Sequence, residues 1–161
     1  MREAIGMRLQ LVRAEIGDAQ MIWNMQIRAF ARLLETYQDV DTNPGSEPVD
    51  KVIMRLRQSY TYYYLIQAEG ETVGAIRVID KKEEGKNKRI SPLFILPEYQ
   101  GKGYAQRAMR EAECLHGEEH WGLDTILQER GNCYLYEKMG YRQTGKTEQI
   151  NDKLTLVFYE K

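Results

Sequence analysis

The sequence predicts an α+β domain with a mixed, mostly antiparallel central sheet of about seven strands, flanked by about four helices. Short runs of β-branched and aromatic residues, such as residues 60–68 and 72–80, are separated by turn signals, here Glu69-Gly70-Glu71. Apolar residues recur at helical spacing over residues 19–37 and 105–115. Hairpin strands followed by helices are typical of an α+β fold and not of a purely parallel sheet.

The N-terminal half is predicted to hold a strand at residues 8–14, a helix at 19–37, a loop at 38–50, and a second helix that begins at Ser46 or Glu47. Gly17-Asp18 supplies a turn and an N-cap for the first helix. Asn43-Pro44-Gly45 is a strong turn signal, and Pro48 suits the first turn of the second helix.

The rest is predicted as strands at 60–68, 72–80 and 90–96, a helix at 105–115, a strand at 125–127, a helix at 133–139, and strands at 141–149 and 153–159 around Asn151-Asp152. The charged residues 81–89 form a solvated turn. Pro92 falls inside the fourth strand, where proline indicates an edge or a bulge. Gly140 ends the last helix as a left-handed cap.

The third helix has two distinct faces. Its buried face is predicted to hold Ala105, Ala108, Met109, Ala112 and Leu115, and its solvent face to hold Gln106, Arg110 and Glu113.

Composition excludes several classes of function. With 161 residues, 42% of them hydrophobic, the chain fits one domain, expected at residues 7–161 after a short extension at 1–6. A net charge of −1 gives no overall attraction to nucleic acid or to an anionic membrane. No apolar run approaches the roughly 20 residues of a membrane span, and the N-terminus does not resemble a secretory signal. Cys114 and Cys133 form no CxxC pair, which favours reduced thiols and a cytoplasmic location.

The stretch from Arg89 to Cys114 predicts an anion site. An apolar strand ends at Pro97, and Gly101 and Gly103 then lead into a helix. The first N–H groups of a helix have no partner within it, and the helix dipole adds positive potential there. We therefore expect a phosphate or pyrophosphate ligand at this turn. The chain has no Walker A motif, and Gln106 occupies the position where a Rossmann fingerprint requires Gly or Ala.

With the Walker A and Rossmann motifs excluded, the glycine turn has the pattern Gln100-x-x-Gly103-x-Ala105. A second motif follows some thirty residues later, with Asn132 and the string Leu135-Tyr136-Glu137-Lys138-Met139-Gly140-Tyr141. Together the two motifs resemble the GNAT superfamily of N-acetyltransferases from about Met7 onward. The resemblance implies a sheet splayed between its fourth and fifth strands, acetyl-CoA as co-substrate, no metal, and a small-molecule or peptide amine as acceptor. A homodimer is one option for its assembly.

The resemblance also implies the roles of individual residues. The cofactor is expected to bind at Phe94, Ile95, Gln100, Gly101, Lys102, Gly103, Tyr104, Ala105 and Asn132. Backbone groups of Phe94 and Ile95 would bond the pantetheine arm, and the Ile95 amide would polarise the thioester carbonyl. Tyr136 is the predicted catalytic residue and would protonate the leaving thiolate. The general base stays open among Glu35, Asp39, Glu98 and a water chain.

Three alternatives compete with this interpretation. His116 and His120 fall in an HxxEH string that could bind zinc, but Gly117 interrupts it, and surface histidines on a connecting loop are the simpler expectation. Cys133 could carry an acyl group, but no histidine lies near it in sequence, and direct transfer needs no such intermediate. A non-catalytic acyl-CoA sensor is the alternative function.

Overall fold

The computed structural model describes residues 8–161, so the expected extension at residues 1–6 and the domain start at residue 7 lie outside the described residues. Its strands are β1 (Leu9–Arg13), β2 (Thr61–Ala68), β3 (Glu71–Ile79), β4 (Lys88–Ile95), β5 (Trp121–Ile126), β6 (Arg142–Gln149) and β7 (Thr155–Glu160). Its α-helices are α1 (Ala19–Tyr37), α2 (Val49–Arg57), α3 (Tyr104–His116) and α4 (Arg130–Lys138). They confirm the α+β class.

The strands of the described residues form a seven-stranded sheet in the order β1-β2-β3-β4-β5-β7-β6. The β4–β5 pair is parallel, and all other neighbouring pairs are antiparallel. Helices cover both faces of the sheet, so β2 is buried on both sides. Tyr63 and Leu65 pack with α1 and α2, while Tyr64 and Ile66 pack with α3. This two-sided burial explains the nearly continuous apolar run of β2.

Several element boundaries differ from those predicted. Strand β5 begins at Trp121 and not at residue 125, because Gly122 interrupts the alternating pattern by which a strand is recognised. Helix α4 begins at Arg130 and not at Cys133, since its first turn is polar and exposed. Helix α2 begins at Val49 with Pro48 as its N-cap.

The buried face of α3 is confirmed at Ala108, Met109 and Ala112. Two predictions for this helix are wrong, one on each face. Glu113 is buried and forms an ion pair with Lys161 at 3.0 Å, whereas Leu115 is 56% exposed. Lys161, which directly follows β7, supplies a cation to Glu113, a contact that helical periodicity does not encode.

The charged turn between β3 and β4 is exposed at residues 81–87, as predicted. Gly140 follows α4 with φ of 96°, which confirms the left-handed cap. Among the described residues, no helix is both long enough and apolar enough to cross a membrane.

Candidate active site

The site begins where β4 and β5 separate. They pair only at Lys88 with Trp121 and at Arg89 with Gly122, and beyond those residues the strands diverge. On the other side of β4, a bulge at residues 91–92 lies opposite Arg77, whose Nη1 donates to the Ser91 carbonyl at 2.6 Å. The bulge agrees with the prediction made from Pro92, and the divergence confirms the expected splay.

The register of β3 and β4 decides which backbone groups face the open side. The Leu96 N–H donates to the Val73 carbonyl at 2.8 Å, and bonded pairs alternate along an antiparallel ladder. Phe94 therefore directs its N–H and C=O toward β3, while Leu93 and Ile95 direct theirs away from it. A Cβ on Gly74 would overlap the Phe94 carbonyl oxygen, which agrees with this assignment.

The glycine loop (residues 100–103) ends in an array of free amides. Gly101 and Gly103 have φ of 79° and 83°, a region that side-chain-bearing residues rarely adopt. The first bond into α3 runs from the Arg107 N–H to the Gly103 carbonyl at 3.1 Å. Within the described part of the chain, the N–H groups of residues 101–106 therefore have no protein partner.

Gln100 has a different role from its neighbours. Its own N–H donates to the Pro97 carbonyl at 3.3 Å, and its side-chain amide donates to the Ile95 carbonyl at 2.9 Å. This second bond occupies one of the backbone groups that β4 turns toward the cleft. The Ile95 N–H remains available.

A cavity of about 620 Å³, here called the loop cavity, connects this loop with α4. Among the predicted site residues it is lined by Phe94, Ile95, Gln100, Ala105, Asn132 and Tyr136. The remaining predicted residues, Gly101, Lys102, Gly103 and Tyr104, lie beside it; the first three are exposed, and the Tyr104 side chain is buried in the core. Residues some thirty positions apart in sequence thus share one cavity.

A second cavity of about 200 Å³, here called the wedge cavity, lies between the diverging parts of β4 and β5. It shares five lining residues with the loop cavity, namely Phe30, Leu33, Leu93, Asn132 and Tyr136. Its other walls include Asp39 and Asn43 from the α1–α2 connection and Asp124 from β5. The two cavities therefore adjoin at Tyr136.

Tyr136 is half-buried on α4, and its ring packs against those of Tyr141 and Tyr159, each with a centroid distance of 6.2 Å. Burial, followed by the nearby Asp124 charge, raises the pKa of Tyr136 to about 12. The phenol is therefore neutral and a hydrogen-bond donor at pH 7. Asn132 is not the helix cap, because Glu129 occupies that position.

The three carboxylates left open as general bases lie in different surroundings. Glu35 is exposed and lines the loop cavity. Glu98 is held at the surface by Arg28, with contacts of 2.7 and 2.9 Å that lower the pKa of Glu98. Asp39 is 7% exposed, lines the wedge cavity, and accepts from the Asn43 amide at 3.0 Å.

Two carboxylates of the cleft were missed. Asp124 accepts from Arg89 at 2.8 Å, and Glu129 accepts from Arg32 at 2.9 Å and from the Tyr37 hydroxyl at 2.6 Å. An acidic residue within a largely buried strand is unusual, so Asp124 would have been noticed had β5 been predicted from Trp121.

The two histidines do not form a shared site. His116 ends α3 with its Nε2 2.8 Å from the Tyr64 hydroxyl and its Nδ1 3.8 Å from Asp80, and burial lowers its pKa. The expectation of a surface loop is therefore wrong for His116 and holds for exposed His120. Within residues 8–161, no group of three or more histidine, cysteine or acidic side chains could hold a metal ion. Cys133 is buried on α4.

Comparison with known proteins agrees with this geometry. The family model described as an acetyltransferase (GNAT) domain matches residues 34–161, which is most of the chain. The chain belongs to the GNAT family. Its activity is therefore the transfer of an acetyl group from acetyl-CoA to an amine, with the acceptor unidentified. No curated protein matches the sequence significantly.

Solved structures share the fold. A spermidine N-acetyltransferase from Vibrio cholerae, in complex with CoA and spermine, is 20% identical with a TM-score of 0.71, covering 94% of this chain and 93% of that one. An acetyltransferase from Thermus thermophilus is 17% identical, with a TM-score of 0.69 and 94% of each chain covered. The ribosomal-protein-S18-alanine N-acetyltransferase from Escherichia coli is 10% identical, with a TM-score of 0.72 over 94% of this chain and 92% of that one.

Proposed function

We propose that the loop cavity binds acetyl-CoA and that Tyr136 assists transfer of its acetyl group to an amine that enters through the wedge cavity. The main support for this proposal is that one cavity is lined both by the glycine-loop end of α3 and by Tyr136. A long cofactor held at one end of that cavity can present its reactive end at the other.

The pyrophosphate suits the glycine loop. The consecutive N–H groups from residue 101 to residue 106 lack partners among the described residues, and the helix dipole of α3 adds positive potential. Both glycines leave open space around their Cα atoms, since an added Cβ would meet no atom within 4 Å. The two glycines therefore contribute to the loop through their positive φ, and not by making room for a close neighbouring atom. Lys102 is exposed and would add a weaker, salt-sensitive attraction.

The pantetheine arm suits the open side of β4. Its amide groups can bond to the backbone of Leu93 and Ile95 in the manner of an added strand. Phe94 contributes in a different way, because its backbone faces β3 and its side chain packs edge-on against Phe30 at 5.8 Å. Asn132, which lines both cavities, has a side-chain amide with no hydrogen-bond partner among the described residues and could bond the arm.

The bound thioester supplies the acetyl group: a C–N bond to the amine forms, the C–S bond breaks, and a proton from the amine nitrogen ends on the sulfur. The Ile95 N–H, which the register directs away from β3, would stabilise the carbonyl oxygen. Tyr136 donates a hydrogen bond to the leaving sulfur. Because its pKa of about 12 exceeds the ordinary thiol value of about 8.5, Tyr136 gives up its proton only when the amine proton replaces it.

The acceptor is an amine, either a small molecule or a peptide. Two fold relatives support this class, since one is a spermidine N-acetyltransferase and the other a ribosomal-protein-S18-alanine N-acetyltransferase. A cytoplasmic location is supported by Cys114 and Cys133, which are free thiols.

The test is release of free thiol from acetyl-CoA across a panel of amines, paired with calorimetric titration of CoA. We expect Tyr136→Phe to lower kcat by about 100-fold or more while CoA binding is retained. Tyr134→Phe, which changes an exposed tyrosine on the same helix, serves as the matched control and should match the wild type. The proposal is wrong if CoA does not bind, or if CoA binds but no amine raises thiol release above background.

A further inference from the structure

The wedge cavity is acidic. Its lining includes Asp39 and Asp124 but no lysine, arginine or histidine among the described residues. The loop cavity, in contrast, is lined by Arg28 and Arg32 as well as by acidic groups. A ligand that fills the wedge cavity therefore meets negative charge.

Asp39 is a buried carboxylate without a counter-ion. It is 7% exposed, accepts from the Asn43 amide at 3.0 Å, and has the Thr42 hydroxyl at 3.5 Å. Within residues 8–161 no cationic group lies within ion-pair distance of it. Burial of a carboxylate without a cation costs free energy, and a cation supplied by a ligand would reduce that cost.

Asp124 lines the cavity from β5, whereas Asp39 lines it from the α1–α2 connection. One of its oxygens accepts from Arg89 at 2.8 Å, and the other accepts no hydrogen bond from the described residues. Its charge acts on the Tyr136 phenol, so these two groups are close enough to interact through space. The nitrogen that reacts beside Tyr136 would thus lie near Asp124, and Asp39 would be left for a second cationic group.

The size of the cavity limits the chain between those two groups. Its volume of about 200 Å³ is about a third of the roughly 620 Å³ of the loop cavity. Leu33, Leu123 and Leu156 contribute apolar walls. These walls suit a short run of methylene groups and leave little room for a folded or bulky acceptor.

We propose that the acceptor is a short alkyl diamine, with one ammonium bound by Asp39 and the reacting amine held beside Asp124 and Tyr136. This inference rests on the proposed function, because it names the substrate class of the same site. It makes Asp39 a specificity residue and assigns no role in bond making to it.

The kinetic test compares diaminobutane, which has an amine at each end, with pentylamine, which has the same number of heavy atoms but one amine. We expect kcat/KM to favour the diamine by about 10-fold or more, mainly through KM, because pentylamine leaves Asp39 unpaired. Asp39→Asn should bring that ratio close to one, through a rise in KM for the diamine. Asp41→Asn removes an exposed charge two residues away and should leave the ratio unchanged.

A structural defect is distinguishable from a loss of specificity. Asp39→Asn keeps an oxygen that can accept from the Asn43 amide, and its melting temperature reports any general damage. Where that temperature falls, Asp39→Glu, which restores the charge, should restore the diamine preference. Equal kcat/KM for both amines in the wild type, or a preference that survives in Asp39→Asn, would overturn the inference.

A binding measurement separates this inference from the proposed function. Diaminobutane is titrated by calorimetry into protein saturated with CoA, which requires no turnover. If no amine supports thiol release but diaminobutane binds and Asp39→Asn abolishes that binding, the proposed reaction fails and the diamine site stands. If CoA binds and other amines are acetylated while diaminobutane does not bind, the diamine site fails and the proposed reaction stands.

Discussion

The loop cavity and the wedge cavity adjoin at Tyr136, yet they are built from different parts of the protein. The loop end of the first lies beside free backbone N–H groups, which depend on two glycines with positive φ and on the start of α3. The second is lined by carboxylates from the α1–α2 connection and from β5. One end of the cleft therefore favours anions, and the other favours cations.

Because their walls differ in this way, the two ends should respond to mutation differently. A site made of backbone amides depends on chain conformation and tolerates changes of neighbouring side chains. A site made of carboxylates depends on the identity of each side chain and on its burial. Three substitutions test that contrast, in order of decreasing expected effect.

Gly103→Ala should have the largest effect on the loop cavity. At φ of 83° an alanine is strained by about 1–2 kcal/mol, so the loop will shift and misplace its amides. We expect the affinity for CoA, measured by calorimetry, to fall about 10- to 100-fold.

Gly85→Ala is the matched control, because Gly85 has φ of 81°, meets no atom within 4 Å at a new Cβ, and lies in the exposed β3–β4 turn. Both variants should lower the melting temperature similarly, and only Gly103→Ala should weaken CoA binding. Equal affinities in the two variants would contradict an amide-built phosphate site.

Asp124→Asn should have an intermediate effect, seen in the titration of Tyr136. The Asp124 charge disfavours the phenolate, so its removal should lower the pKa of Tyr136 from about 12. Burial remains, so the value should stay above the ordinary tyrosine pKa of about 10. The measurement is the pH titration of the tyrosine ring carbons by NMR, with Tyr136→Phe identifying the resonance.

Exposed Asp152 provides the control, since Asp152→Asn should leave the Tyr136 titration unchanged. The raised pKa of Tyr136 also makes the stability of the folded protein depend on pH. The folded phenol stays protonated to about pH 12, whereas an unfolded one ionises near 10, so this group's contribution to stability is complete below about pH 10 and is lost as pH rises toward 12. An unchanged midpoint in Asp124→Asn would remove the argument that Asp124 lies beside the reacting group.

Lys102→Ala should have the smallest effect. Its side chain is exposed, so it adds only a screened charge to a site whose main donors are amides. We expect CoA affinity to fall about 2- to 5-fold at low salt and hardly at all at high salt. Lys86→Ala, in the exposed turn that holds Gly85, should have no effect. A loss larger than that of Gly103→Ala would mean that side-chain charge dominates the site.

Local sequence patterns predicted most of the fold. Helix α1 was predicted at its observed bounds, because its 19 residues carry a sustained helical period. Strand β5 was predicted four residues too late, since Gly122 has no side chain to continue the alternation. His116 was predicted at the surface, but Tyr62, Tyr64 and Trp121 surround it in the folded chain. Such contacts join residues far apart in sequence and leave no local signal.

The candidate site was likewise only partly predictable from local sequence patterns. The glycine spacing predicted the loop with two positive φ angles, because a positive φ is a property of single residues. No local pattern indicated that Asp124 is a neighbour of Tyr136. Nor did any local pattern indicate that the backbone of Leu93, and not that of Phe94, faces the cleft. The first depends on how α4 packs on β5, and the second on the register between β3 and β4.

The sequence alone determined the α+β class, the GNAT resemblance and the loop of free amides, since these follow from residue types at short, fixed spacings. Only the tertiary structure decided that the loop and Tyr136 share a cavity and that an acidic cavity adjoins it. The physical reason is that charge and shape in a cleft are sums over residues from distant segments. Their mutual positions exist only once the sheet has formed and β4 and β5 have separated.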